Sequence, residues 1–233
     1  MPAATTVLDA VLNAPNVWRG QGCAPVAAPS IATGFAELDQ LLPGGGWPVG
    51  ALTEIYVERP GIGELQLLMP AAARLTQDAR WLAMIAPPYV PYAPALAARR
   101  VHLQHVLLLR PQSPDEQAWA CEQLLISGHC GAVLMWHDQL QERILRRLQH
   151  AAERNGTIAI LYRSRRAQPF SAAALRLHVG RNDGRTVINI LKRRGGGTPP
   201  PVKLDLHGSL TRRSAAVPLS LVPVATPRFQ AAH

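Results

Sequence analysis

Between residues 51 and 163 short apolar runs alternate with stretches in which apolar positions recur three or four residues apart. The runs predict strands and the recurring spacing predicts helices. "ALTEIYV" (51–57), "RWLAMIA" (80–86), "HVLLLR" (105–110), "GAVLMWH" (131–137) and "TIAILYR" (157–163) are the predicted strands, most of them apolar enough to be buried on both faces. A short helix is predicted over roughly 34–42, closed by a glycine turn. Leu65, Leu68, Ala72 and Leu75 line one face of a second, and "APALAARR" reads as a third. Ser113 as cap, Pro114 at the first helical position and Asp115 and Glu116 in the first turn predict a fourth, running to about Ser127. The last spans 139–154 and is stopped by Asn155-Gly156.

Strands separated by single helices imply an α/β fold: a mostly parallel sheet flanked by helices on both faces. The pattern changes near the C-terminus, where "ALRLHVGRNDGRTVINILKRR" predicts two strands around an "NDG" hairpin and "PVKLDL" a last edge strand. Antiparallel edge strands near the C-terminus are therefore expected on the parallel sheet.

The chain divides into an Ala-, Pro- and Asn-rich segment (1–30) expected to be mobile or to lie on the surface, a folded domain (31–210) and a proline-containing tail without periodicity (211–233) expected to be flexible. With 233 residues and 48% apolar content, it can bury one core. No apolar run approaches eighteen residues, and "MPAATTVLDA" has no basic leader, so a cytoplasmic location is expected. Cys23, Cys121 and Cys130 have neither disulfide nor zinc spacing and read as small apolar residues; no metal is expected.

Charge changes the picture more. Residues 1–142 carry seven Arg against twelve acids, a net −5, whereas residues 143–233 carry seventeen Lys or Arg against three acids, a net +14. Such a layout points to a polyanion or an acidic protein met by the C-terminal half, or to a solvated basic surface. Arg143, Arg147, His150 and Arg154 recur along one helical face, as a solvated stripe or a docking one. Arg163, Arg165 and Arg166 follow a predicted strand, and Lys192, Arg193 and Arg194 form a basic turn before glycines. Leu219, Leu221 and Val222 give the tail an apolar segment that could dock on a partner.

The stretch "EIYVERPGIGELQLL" (54–68) has the outline of a strand, a glycine loop and a helix, the layout of a phosphate-binding loop. Such a loop needs a lysine on the phosphates and a hydroxyl for Mg²⁺. After Pro60, Gly61 and Gly63 the chain instead supplies Glu64 and Leu65. Lys192 and Lys203 are the two lysines, and neither follows a glycine or precedes Ser or Thr.

From Pro29 to Leu206 the chain resembles the RecA fold, through Thr33-Gly34, Leu38-Asp39, Gly44-Gly45-Gly46, Pro48, Gly50 and Glu54-Ile55-Tyr56. "INILKRR" falls where the resemblance places a basic pair, at Lys192 and Arg194, that reaches a neighbouring subunit's nucleotide. Arg163, Arg165 and Arg166 fall where it places a DNA-binding loop, here shortened to "RSRRAQPFSA". The strand that should end in a water-positioning acid runs into Pro87-Pro88, and the magnesium-binding acid falls in Trp136-His137-Asp138, where Asp138 reads as a helix cap. The loop thus reads as a lost phosphate loop, and neither ATPase activity nor a nucleotide cofactor is expected.

"GIGELQLL" and the lead-in "WPVGALTE" are similar to the ImuA family, RecA-like proteins related to the shorter SulA-type division inhibitors. The resemblance implies induction in the SOS response and a non-catalytic accessory role in translesion DNA synthesis. Its implied partners are an ImuB-type polymerase-like protein and an error-prone replicative-type polymerase, with RecA and a weak, salt-sensitive DNA contact as further expectations. A SulA-like cell-division inhibitor and a DNA-binding recombination modulator stay as alternatives.

Overall fold

The computed structural model describes residues 29–164, 171–195 and 197–206. The expectations for the N-terminal segment up to residue 28, for Arg165 and Arg166, and for the tail with Leu219, Leu221 and Val222 lie outside the described residues.

Strands β3 (Ala51–Val57), β4 (Trp81–Ile85), β5 (Val106–Leu109), β6 (Cys130–Trp136), β7 (Ile158–Ser164), β8 (Leu175–Asn182), β9 (Arg185–Lys192) and β10 (Val202–Leu204) form one sheet in the order β10-β9-β8-β3-β7-β6-β4-β5. From β8 to β5 every pairing is parallel, whereas β8–β9 and β9–β10 are antiparallel. The α/β architecture and its antiparallel C-terminal edge are as the hydrophobic pattern predicts. A separate two-stranded ribbon pairs β1 (Ser30–Ile31) with β2 (Trp47–Pro48) ahead of β3.

Helix α1 (Ala36–Asp39) is shorter than expected. It is followed in chain order by α2 (Met69–Gln77), α3 (Ala93–Ala98), α4 (Pro114–Ser127) and α5 (Glu142–Asn155). Two apolar clusters lie on opposite faces of the sheet, one centred on Leu67, Leu68, Ile55 and Leu177, the other on Leu125, Leu145, Leu148 and Leu161. The first is closed by α2, the second by α4 and α5, which gives three layers.

Local signals account for most element ends. Ser113 Oγ accepts a hydrogen bond from the Glu116 backbone N–H at 3.2 Å, and Glu116 Oε2 accepts one from Gln112 N–H at 2.7 Å, the reciprocal cap predicted for α4. Asp183 (φ 51°) and Gly184 (φ 75°) make the β8–β9 turn, which needs left-handed residues. β5 departs from expectation: it is the sheet's outer edge, and Leu108 remains 40% exposed. The helix after the glycine loop also begins differently, as a 3₁₀ turn over Glu64–Leu68 that passes into α2 at Met69. Pro70, which has no N–H to donate, sits at that junction.

No helix among the described residues is long and apolar enough to cross a membrane.

Candidate functional site

The carboxyl ends of β3, β4 and β6 point to one end of the sheet, where open α/β sheets place their ligand crevices. A cleft of about 450 Å³ lies there, between the glycine loop after β3, the prolines after β4 and helix α3. Gly61, Gly63 and Glu64 form one wall, Pro87 to Tyr92 the other, and Trp136 lies among its lining residues. The aromatic floor is fixed from below: Trp136 stacks on Tyr162, with ring centroids 4.6 Å apart.

Glu64 is 4% exposed, a burial that a carboxylate tolerates only with partners. Its Oε1 accepts a hydrogen bond from the Gly61 backbone N–H at 2.8 Å, and its Oε2 one from Gly63 N–H at 3.1 Å. Gly63 (φ 109°) holds the left-handed backbone that turns its N–H inward, and a side chain there would come within 3.0 Å of Leu206. Two of the loop's own backbone N–H groups are therefore taken by its own carboxylate. Tyr162 Oη donates to the Glu64 carbonyl at 3.4 Å and ties the loop to β7; burial pushes the Tyr162 hydroxyl pKa well above its ordinary value.

Among the described residues lining the cleft there is no Lys, Ser or Thr, and Arg99 is the one cation. Its guanidinium is turned to Gln66 Oε1 (3.4 Å) and the Leu206 carbonyl (3.5 Å). No group of His, Cys, Asp and Glu among the described residues could hold a metal ion. Cys121 and Cys130 are buried free thiols, with Cys121 pushed up to about 12 by burial.

Behind the loop lies a charged cluster that the pattern of residues concealed. Glu54, fully buried in β3, accepts from Arg163 on β7 at 2.8 Å and pairs with Arg176 Nε on β8 at 3.0 Å. Tyr56 Oη donates to Glu54 Oε2 at 2.9 Å, and the Arg176 guanidinium donates to Tyr56 Oη at 2.6 Å. Arg163 also donates to the Asp138 carbonyl at 2.7 Å, while Asp138 Oδ1 accepts from Ser164 N–H at 2.6 Å. Two expectations are corrected here. Arg163 is 1% exposed and serves as the internal counter-ion of Glu54, so its side chain is no surface contact for DNA or a partner. Asp138 caps no helix, because α5 starts at Glu142 with Gln141 as its cap residue; it closes the end of β7 instead. A lone glutamate inside "ALTEIYV" was the available signal, since a carboxylate in a buried strand requires a paired cation.

The remaining basic positions lie away from the cleft. Arg143, Arg147, His150 and Arg154 share the exposed face of α5, with Arg147 paired to Glu122 of α4 and His150 3.3 Å from Glu153. At the end of β9, Lys192 Nζ donates to the Ser171 carbonyl at 3.1 Å, and just past it Arg194 reaches Glu153 at 3.5 Å. Arg193 is anchored, donating to the carbonyls of Leu41 (2.5 Å) and Gly197 (3.0 Å). The structure thus brings Arg194 to the C-terminal part of α5 through Glu153, and leaves Arg193 half-buried.

No protein-family model matches the chain. It is similar to the cell division inhibitor SulA of Edwardsiella piscicida, with 30% identity over 128 residues that cover 53% of this chain and 76% of that protein.

Proposed function

The chain belongs to the SulA family as a distant member, and on that premise we propose that it is a non-catalytic accessory protein of the DNA-damage (SOS) response, acting in translesion synthesis. The observation that carries this reading is the Glu64 carboxylate on the N–H groups of Gly61 and Gly63. A loop whose N–H groups already hold a carboxylate, with no lysine, serine or threonine among the described residues lining the cleft and with Arg99 turned to Gln66 and the Leu206 carbonyl, gives ATP no seat. The fold then works through its surfaces. The translesion assignment rests on the resemblance of "GIGELQLL" and "WPVGALTE" to the ImuA family. Its partners are an ImuB-type polymerase-like protein and an error-prone polymerase, met in the cytoplasm or at the nucleoid.

Arg143 and Arg154 on α5, with Arg194 brought to the C-terminal part of that helix through Glu153 and with Lys192 at the end of β9, are the basic residues offered to those partners, to RecA or to DNA. A contact built on that face weakens as salt rises. A second reading, a division inhibitor like the relative, is favoured by the match over 128 residues.

Co-purification of the intact chain with the ImuB-type protein, at low and at moderate salt, tests the proposal. Retention at low salt that is reduced by Arg143→Glu/Arg154→Glu is the expected result. No retention at either salt, together with filamentous growth of cells expressing the chain alone, overturns it in favour of division inhibition.

A further inference from the structure

The cleft beside the glycine loop carries an apolar surface that nothing in the loop chemistry uses. Tyr89 (66% exposed), Val90 (66%) and Tyr92 (71%) stand beside Pro87, Pro88 and Pro91 along one wall. Exposed tyrosines in a row next to prolines are a surface suited to an extended apolar strand, because aromatic walls take a polyproline-type peptide without requiring it to fold first.

The end of the described chain lies at this cleft. Leu206, the last described residue, is buried with its Cδ1 against Gly63, and its carbonyl accepts from Arg99; Gly63 and Arg99 both line the cleft. Twenty-seven residues follow, and among them "AAVPLSLVPV" (215–224) carries no charge, two prolines and the aliphatic residues Val217, Leu219, Leu221, Val222 and Val224. Eight residues lie between Leu206 and Ala215, nine residue steps with a reach of about 30 Å when extended, comparable with the diameter of a small domain. Tethering at the rim gives the segment a local concentration on the order of millimolar, so even a weak contact is populated.

We propose that residues 215–224 dock in cis in this cleft, against Tyr89 and Tyr92, covering the closed glycine loop. The inference does not rest on the proposed function. Docking in cis would make Leu219, Leu221 and Val222 inaccessible, so a partner that uses them must first draw the tail out.

Photo-cross-linking of the intact chain tests this directly. Benzoylphenylalanine is placed at Leu221, and in a second preparation at Ser220, and equal amounts of unlabelled and ¹⁵N-labelled protein are irradiated together before mass spectrometry. Cross-links to the stretch 87–99 within single-isotope chains, lost in Tyr89→Ala/Tyr92→Ala, are expected. Thermolysin cleavage between 217 and 224 should accelerate about fivefold in the same double variant, because proteolysis follows the undocked population. Cross-links joining labelled to unlabelled chains mean that a second copy supplies the segment, and overturn docking in cis. Cross-links elsewhere or none, with cleavage unchanged by the double variant, overturn the site itself.

Discussion

Glu54 is the residue on which the interior depends most. It is fully buried and satisfied by Arg163, Arg176 and Tyr56, and removing one member leaves charge without its partner in a low-dielectric setting. Arg163→Leu is expected to lower stability by about 3 kcal/mol, the low end for a broken buried pair, because Arg176 still holds Glu54. For a domain of this size that is roughly a 6–12 °C fall in Tm by calorimetry. Glu54→Leu/Arg163→Leu should recover part of the loss, since Arg176, 16% exposed, can turn to solvent. A double variant no more stable than Arg163→Leu would mean that the pair is not a coupled unit. The sequence pattern could show that Glu54 needed a cation; it could not say which, because Arg163 and Arg176 reach it only through the pairing of β3 with both β7 and β8.

At the scale of elements, the junction between β6 and α5 holds a titratable group under tension. His137 N–H donates to the Tyr162 carbonyl, and its Nδ1 accepts from Gln139 N–H at 3.2 Å, which requires an unprotonated Nδ1. Burial, with Arg163 nearby, pulls its pKa below the ordinary 6.5, against the smaller opposing pull of Asp138, Asp115 and the Pro114 backbone. As pH falls through 6.5 the unfolded chain takes up a proton that the folded chain resists, so stability declines from there down to the folded pKa. His137→Asn, which keeps an acceptor near the Nδ1 position, should flatten that part of the stability–pH curve in urea titrations. An unchanged slope would place the titration elsewhere.

The elements themselves were legible wherever cause was local: the Ser113 cap, the Asp183-Gly184 turn and the breadth of α5 follow from residues adjacent in sequence. What escaped was non-local. β5 reads as a buried strand yet forms the sheet edge, because apolar content does not encode strand order. The closure of the loop escaped for a related reason: a motif gives residue types, whereas the meeting of Glu64 with Gly61 and Gly63 depends on the direction of backbone N–H groups.

For the whole molecule, the acidic and basic halves of the sequence come together in one sheet, and the cleft sits at one end of it. If the cleft takes no nucleotide, Mg²⁺ and ATP should leave thermal stability unchanged, since a ligand stabilises only what it binds. A magnesium-dependent rise in Tm with ATP in the intact chain would contradict the accessory-protein reading. The basic face on α5 and the apolar wall of Tyr89 and Tyr92 are separate surfaces, so binding through the first should be salt-sensitive and through the second largely indifferent to salt.

The carboxylate of Glu64 also bears on how such a protein could change over generations. Replacing Glu64 by lysine would not by itself make a phosphate-binding loop, because two N–H groups that now have a partner would lose it before any phosphate arrived. The hydroxyl and the acids needed with that lysine would have to appear while the loop was already weakened. Any stepwise route from this loop to a phosphate-binding one would therefore pass through a form less stable than either end, which favours change at the surface over change in the loop.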